Sequence, residues 1–247
     1  MKRKSCLMSS SISDSLSPSV SKRAKEGKAN ISSGLEHLWS LFPTQVFLLP
    51  PIALRHQLYS LHTDRTAVDR QVEALRESGV VRLLKLGASE EDYCLIRSQQ
   101  YCDYLQSCLG EGGLGTKVTE SLLKNCHDVS VTNERLTELK FSNEDISGLV
   151  SRGVLLVRDV DTGRSWWCGV PGVSPFIRSL TRGRSMLQQI IGRSRFKEML
   201  RRDVLSKRMT VSKLPIEYHI HDLVGGDLLE RVETTSGDLL RLTDATH

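Results

Sequence analysis

The chain is 247 residues long with a formal net charge of +5; 39% of it is apolar, 26% charged and only 5% aromatic. That is the profile of a soluble globular protein slightly poor in aromatics, and the length allows one large domain or two to three small ones. No apolar run approaches the roughly 18 residues of a membrane-spanning helix, so no membrane partner is expected, and 6 cysteines with no CxxC pair read as reduced thiols of an intracellular protein.

Taken in chain order, residues 1–33 read as a disordered tail, serine-rich from Ser5 to Ser21 and without the apolar stretch of a secretory signal. Lys2, Arg3 and Lys4 on one side of the serines, with Lys22, Arg23 and Lys25 on the other, have the form of a bipartite nuclear-import signal, so a nuclear protein is expected. Folding is expected from residue 34. Leu35, Leu38, Leu41 and Phe42 have helical spacing up to Pro43; Pro50-Pro51 opens a second helix bearing Leu54, Leu58 and Leu61. Asp64 or Thr63 caps a third helix carrying Val68, Val72 and Leu75, with Gly79 as its left-handed terminator. Two strand-like runs, Val80–Leu86 and Tyr93–Ile96, complete the order of a winged helix.

The pattern recurs about 74 residues later. Ser142 caps a helix with Ile146 and Leu149, Gly153 ends it, and Val154–Val160 and Ser165–Val170 pair across Asp161-Thr162-Gly163. Gly79-Val80 falls on Gly153-Val154, and Val118–Leu123 and Leu136–Leu139 supply the earlier helices. A third copy takes helices over Leu180–Ile191, Phe196–Leu205 and His219–Leu229, then a hairpin of Leu229–Thr234 and Asp238–Leu242. The expected fold is α+β, mainly α, with three tandem winged-helix domains: 34–97, 98–172 with a helical linker at its start, and 173–243, followed by a short tail at 244–247.

Charge is unevenly distributed. Residues 178–213 carry eleven Lys/Arg against two acids, whereas residues 214–247 carry two against seven. Arg178, Arg182, Arg184, Arg193, Arg195, Lys197, Arg201, Arg202, Lys207 and Arg208 fall among the apolar positions of these helices. They are expected to face outward as a double-stranded DNA contact, with Phe196 read as core. Contact with phosphate alone does not separate DNA from RNA, so RNA stays open. The second unit's third helix begins Asn143-Glu144-Asp145 and would repel phosphate. Arg65 and Arg70 on the first unit's third helix alternate with acids and read as candidate protein-binding positions, as do Trp166 and Trp167, one ring of which should face inward and one outward.

No catalytic constellation emerges. Gly110–Gly115 matches GxGxxG but follows a helical stretch rather than a strand, and HRD and DFG triplets are absent. His219 and His221 have no second ligand pair at a suitable spacing, so no metal and no cofactor is expected.

Leu49-Pro50-Pro51-Ile52-Ala53-Leu54-Arg55, Asp64-Arg65-Thr66, Ser165-Trp166-Trp167, Val170-Pro171-Gly172, Tyr218-His219-Ile220-His221-Asp222-Leu223 and Thr234-Thr235-Ser236-Gly237 resemble the serine/threonine-protein kinase nineteen family over about residues 35–243. The resemblance implies a misnamed, inactive kinase: three winged helices that bind DNA in transcription-coupled nucleotide-excision repair. It also implies stalled RNA polymerase II, the Cockayne-syndrome A protein, UVSSA and the TFIIH helicase subunit as partners. The expectation is therefore a nuclear, non-enzymatic DNA-binding adaptor, monomer or homodimer. The alternatives are a protein–protein scaffold with incidental nucleic-acid affinity and, more remotely, a serine/threonine kinase.

Overall fold

The computed structural model describes residues 31–87, 92–110, 113–158 and 164–243. The import clusters Lys2-Arg3-Lys4 and Lys22-Arg23-Ala24-Lys25 lie outside them. The first helix, α1 (Ile31–Ser40), begins before the expected position 34 because Ile31 is itself core, 1% exposed. Then follow α2 (Thr44–Phe47), β1 (Ala53–Leu54), a 3₁₀ turn over Arg55–Ser60, α3 (Arg65–Glu77), β2 (Val81–Lys85) and β3 (Tyr93–Arg97). The next stretch comprises α4 (Ser98–Leu109), α5 (Leu114–Lys117), a π-helical turn over Val118–Leu123, β4 (Ser130–Thr132), α6 (Asn133–Glu138), α7 (Asn143–Ser151), β5 (Leu155–Arg158) and β6 (Ser165–Cys168). The chain closes with α8 (Ser174–Gly192), β7 (Glu198–Leu200), α9 (Arg201–Leu205), α10 (Ile216–Gly225), β8 (Leu229–Thr234) and β9 (Gly237–Leu242).

Helix and sheet are thus mixed, and one strand order occurs three times: β1-β3-β2, β4-β6-β5 and β7-β9-β8, all antiparallel. The hairpins expected from sequence form two strands of each sheet. The third strand in each case, two or three residues long, is too short to show period-2 alternation. For that reason Ala53–Leu54 was expected within a helix after Pro50-Pro51, and Glu198–Leu200 within a helix over Phe196–Leu205; both expectations are corrected. Pairing of Ala53 with Leu95, and of Met199 with Leu240, takes these segments into the sheets instead.

The helix ends repeat in chemistry as well as position. Asp64 caps α3 by accepting from Ala67 N at 2.9 Å, and Ser142 and Asp145 cap α7 reciprocally. The chain then reverses through a left-handed residue at the same spacing each time: Gly79 at φ 72°, Gly153 at φ 75° and Asp227 at φ 57°. At each point the following amide bonds back to a leucine carbonyl, Val80 to Leu75, Val154 to Leu149 and Leu228 to Leu223. The third terminator is not glycine, which hides it in the sequence, and its carboxylate has a use described below.

One apolar cluster runs through all three sheet-bearing segments. Phe42 and Phe47 meet Phe176 at ring distances of 5.5 and 5.8 Å, and Tyr218 closes the group 6.3 Å from Phe176. Tyr218 Oη donates to Ile52 O at 3.1 Å, and Gln57 Nε2 to Tyr218 O at 3.0 Å, so α10 lies against the 3₁₀ turn of the first segment. Gly225 permits the contact: a Cβ there would stand 2.0 Å from His56 O. Between the first and second segments, Trp167 packs on Tyr93 at 6.2 Å, while Lys85 and Arg158 lie over its ring at 5.8 and 4.2 Å. Trp166 turns toward the central cluster, so one ring serves the core and the other an internal junction. Buried Cys168 has its thiol pushed up to about 12 by desolvation, an inert apolar group.

His219 and His221 are buried in this packing, and burial pushes both down to about 4. The unfolded chain, with histidines near 6.5, then binds two more protons between these values. The contribution of these two histidines is therefore full above about pH 6.5 and is lost as pH drops toward 4, at up to about 2.7 kcal/mol per pH unit. Urea unfolding measured from pH 7 to pH 4.5 should show this slope, and His221→Asn should reduce it by about half.

Candidate nucleic-acid interface

Helix α8 buries Phe176, Leu180, Gly183, Leu187 and Ile191 along one side. The 3.6-residue period therefore turns Arg178, Arg182 and, beyond the C-terminus, Arg193 to solvent. Pro175 in the first turn and the absence of an interior helix breaker with unmet hydrogen bonds keep the 19-residue helix continuous. Gly183 is the exception in kind: a Cβ there would stand 2.1 Å from the His219 ring, so glycine allows α10 to approach α8.

Among the described residues, Arg178, Arg182, Arg193, Arg195, Lys207, Arg208 and Lys213 are exposed and have no ion-pair partner. Arg202 is 72% exposed with only a 3.8 Å approach to Asp203. Lys197 is exposed at the end of the turn after α8, in a left-handed conformation at φ 53°. Two expected members differ. Arg184 faces inward: Nε and Nη2 each lie 2.7 Å from an Asp222 oxygen. Arg201 is half-buried and donates to Glu217 Oε1 at 2.5 Å. The outward-facing expectation is corrected for Arg184, because Gly183 and the inward turn of the helix bring its stem over α10.

Asp222 is 1% exposed, and His56 Nε2 also reaches Oδ1 at 2.7 Å. Desolvation alone would raise the Asp222 pKa; the hydrogen bonds from Arg184 and His56 outweigh it and hold the carboxyl below its ordinary range. Sequence reasoning missed this site, although an acid within the apolar stripe of α10 was the available signal. Arg65, a candidate protein-binding position, binds Asp227 through both terminal nitrogens and joins α3 to the end of α10; Arg70 is exposed.

A cleft of about 470 Å³ beside Asp222 is lined by Arg55, His56, Tyr59, Arg65 and Arg184. Its arginines are each held by an acid, Arg55 by Asp69 at 2.9 Å, Arg65 by Asp227 and Arg184 by Asp222. The fold also gathers His37, Glu217 and His221, with ligand atoms within 4.8 Å of one another, a grouping the sequence spacing did not reveal. Protein groups already engage two of them: Arg201 holds Glu217, and Ser60 Oγ lies 2.7 Å from His221 Nδ1.

Small helix-and-sheet segments sharing one strand order, with an unneutralised cationic face on the last, define the class of protein. The family model described as inactive serine-threonine protein kinase 19 matches residues 43–242, and the chain belongs to that family. It is 37% identical over 229 residues to human Winged helix repair factor 1, covering 90% of this chain and 88% of that protein. The Xenopus laevis protein of the same name is 36% identical over 221 residues, covering 85% of this chain and 82% of its own length. The Dictyostelium discoideum one is 25% identical over 235 residues, covering 78% and 59%.

The two kinds of arginine should separate experimentally. Arg184→Met leaves the Asp222 carboxylate under-paired and should cost about 3–5 kcal/mol of stability. Arg193→Glu should leave thermal unfolding within about 1 °C of the parent, as surface changes do; calorimetry on the two variants checks both.

Proposed function

We propose that this protein is a nuclear, non-enzymatic DNA-binding adaptor in repair coupled to transcription, built of three tandem winged-helix domains. The third domain holds duplex phosphate and the others dock proteins. The observation that carries the reading is the set of exposed, unpaired cations on α8 and the turn that follows it, Arg178, Arg182, Arg193 and Arg195. Guanidinium groups free of internal acids present their donor forks to phosphate oxygens. Relatives named for a winged helix and for repair support the same direction. The family resemblance supplies the partners to be tested: stalled RNA polymerase II, the Cockayne-syndrome A protein, UVSSA and the TFIIH helicase subunit. The kinase alternative is disfavoured by the missing HRD and DFG triplets and by the family's description as inactive.

About six phosphate contacts give a log–log dependence of affinity on salt with slope near −5. Titrating a duplex at several salt concentrations should return that slope, and R178E/R182E/R193E should abolish binding at unchanged thermal stability. Undiminished affinity in that variant overturns the assignment. The same titration on an RNA duplex decides between the nucleic acids. For localisation, a reporter fused to residues 1–30 should enter the nucleus, and one with Lys22, Arg23 and Lys25 changed to Ala should remain outside.

A further inference from the structure

The turn between α8 and β7 carries an aromatic that no core explains. Phe196 is 67% exposed, whereas its position among helical hydrophobics had suggested burial. The turn is braced on both sides. Ser194 Oγ donates to Ile191 O at 2.7 Å and accepts from Glu198 N at 2.8 Å. Lys197 N donates to Ser194 O at 3.1 Å, and Leu242 N to Lys197 O at 2.9 Å, tying the turn to β9. Left-handed Lys197 reverses the chain directly after Phe196 and keeps the ring outside the sheet. Its chain neighbours Arg193, Arg195 and Lys197 are exposed, and the Arg195 guanidinium lies over one face of the ring, 5.1 Å from its centroid.

We infer that Phe196 is a stacking site for an unpaired nucleobase, with Arg193 and Arg195 holding the phosphates on either side of it. The inference rests on the nucleic-acid reading above and narrows its ligand to DNA with unpaired bases, such as a bubble. Complementarity selects this occupant. A solvated π-face set among cations matches a flat base joined to anionic phosphates, and base–aromatic stacking tolerates any sequence because every base has a π-face. An apolar protein surface would have to desolvate the surrounding guanidinium groups to reach the same ring.

The test uses the full chain and two DNAs, a closed dumbbell duplex with no free ends and the same duplex with a central bubble of unpaired bases. The parent protein should bind the bubble more tightly. F196A should lose roughly 5- to 160-fold on the bubble, the range set by base–aromatic stacking, while its affinity for the closed duplex and its thermal unfolding stay unchanged. F196W should retain the preference, and its added fluorescence should be quenched by the bubble more than by the closed duplex. Equal affinity of the parent for both DNAs, or an equal loss on both in F196A, overturns the stacking site while leaving phosphate binding standing. Absence of binding to either DNA overturns the broader reading, and R178E/R182E/R193E, which should lose both DNAs together, separates the two failures.

Discussion

A carboxylate removed from water must be met by partners that arrive from elsewhere in the fold, and Asp222 receives them from two directions. Arg184 comes from α8, within the same third segment, and His56 from the 3₁₀ turn of the first. A buried pair of this kind adds little net stability over well-packed apolar groups, since desolvation of both charges offsets much of their attraction. What it adds is exclusivity of arrangement. Any rotation of α10 against the first segment strands a charge, so the packing of Tyr218 on Ile52 and Gln57 has a single satisfactory geometry.

That geometry has a consequence for recognition. In helix-turn-helix docking, the face of the recognition helix must be free to enter a groove. The helix before the third hairpin, α10, buries seven of its ten residues. Its counterparts offer little more: α7 begins with Glu144 and Asp145, and on α3 Arg65 and Arg76 are committed to Asp227, Glu73 and Asp128, leaving Arg70 exposed. Among the described residues, exposed cations without an ion-pair partner gather on elements that do not ordinarily read bases: the outer side of α8, the turn after it, and Lys207, Arg208 and Lys213 beyond α9. Under the proposed function, contacts made there would fix position along a backbone and carry no base code.

How much of this was legible follows from the range of each interaction. Caps and terminators act over three to six residues, so Asp64, Ser142, Gly79 and Gly153 announced two of the repeats directly; Asp227 did not, because only geometry identifies a left-handed aspartate. The outer stripe of α8 followed from its apolar period. Beyond reach were pairings between distant segments, Arg184 with Asp222 and Arg65 with Asp227, which depend on where two helices cross. Phe196 was misread for a related reason: a helical pattern drawn through Met199 and Leu205 included it, whereas the chain turns and enters β7 two residues later.

The acid-rich end of the chain resolves an apparent contradiction in the charge pattern. A cationic segment followed at once by seven acids against two cations would be expected to neutralise itself. Five of these acids have partners in the fold, and only Asp222 and Glu217 take theirs from the basic segment. Asp227 is taken by Arg65 of the first segment and Asp222 by inward-turned Arg184. Asp238 is taken by Arg231, and Glu230 lies 3.9 Å from Arg241, within the terminal hairpin. Glu217 reaches only Arg201 of the basic stretch's outer candidates. Because each of these acids is held by a partner fixed in the fold, none is paired with the outward-facing Arg178 and Arg182 of α8. The same contacts that fasten the third segment to the first therefore leave its outer face charged, and changes that loosen the junction should weaken the cationic surface by releasing carboxylates toward it.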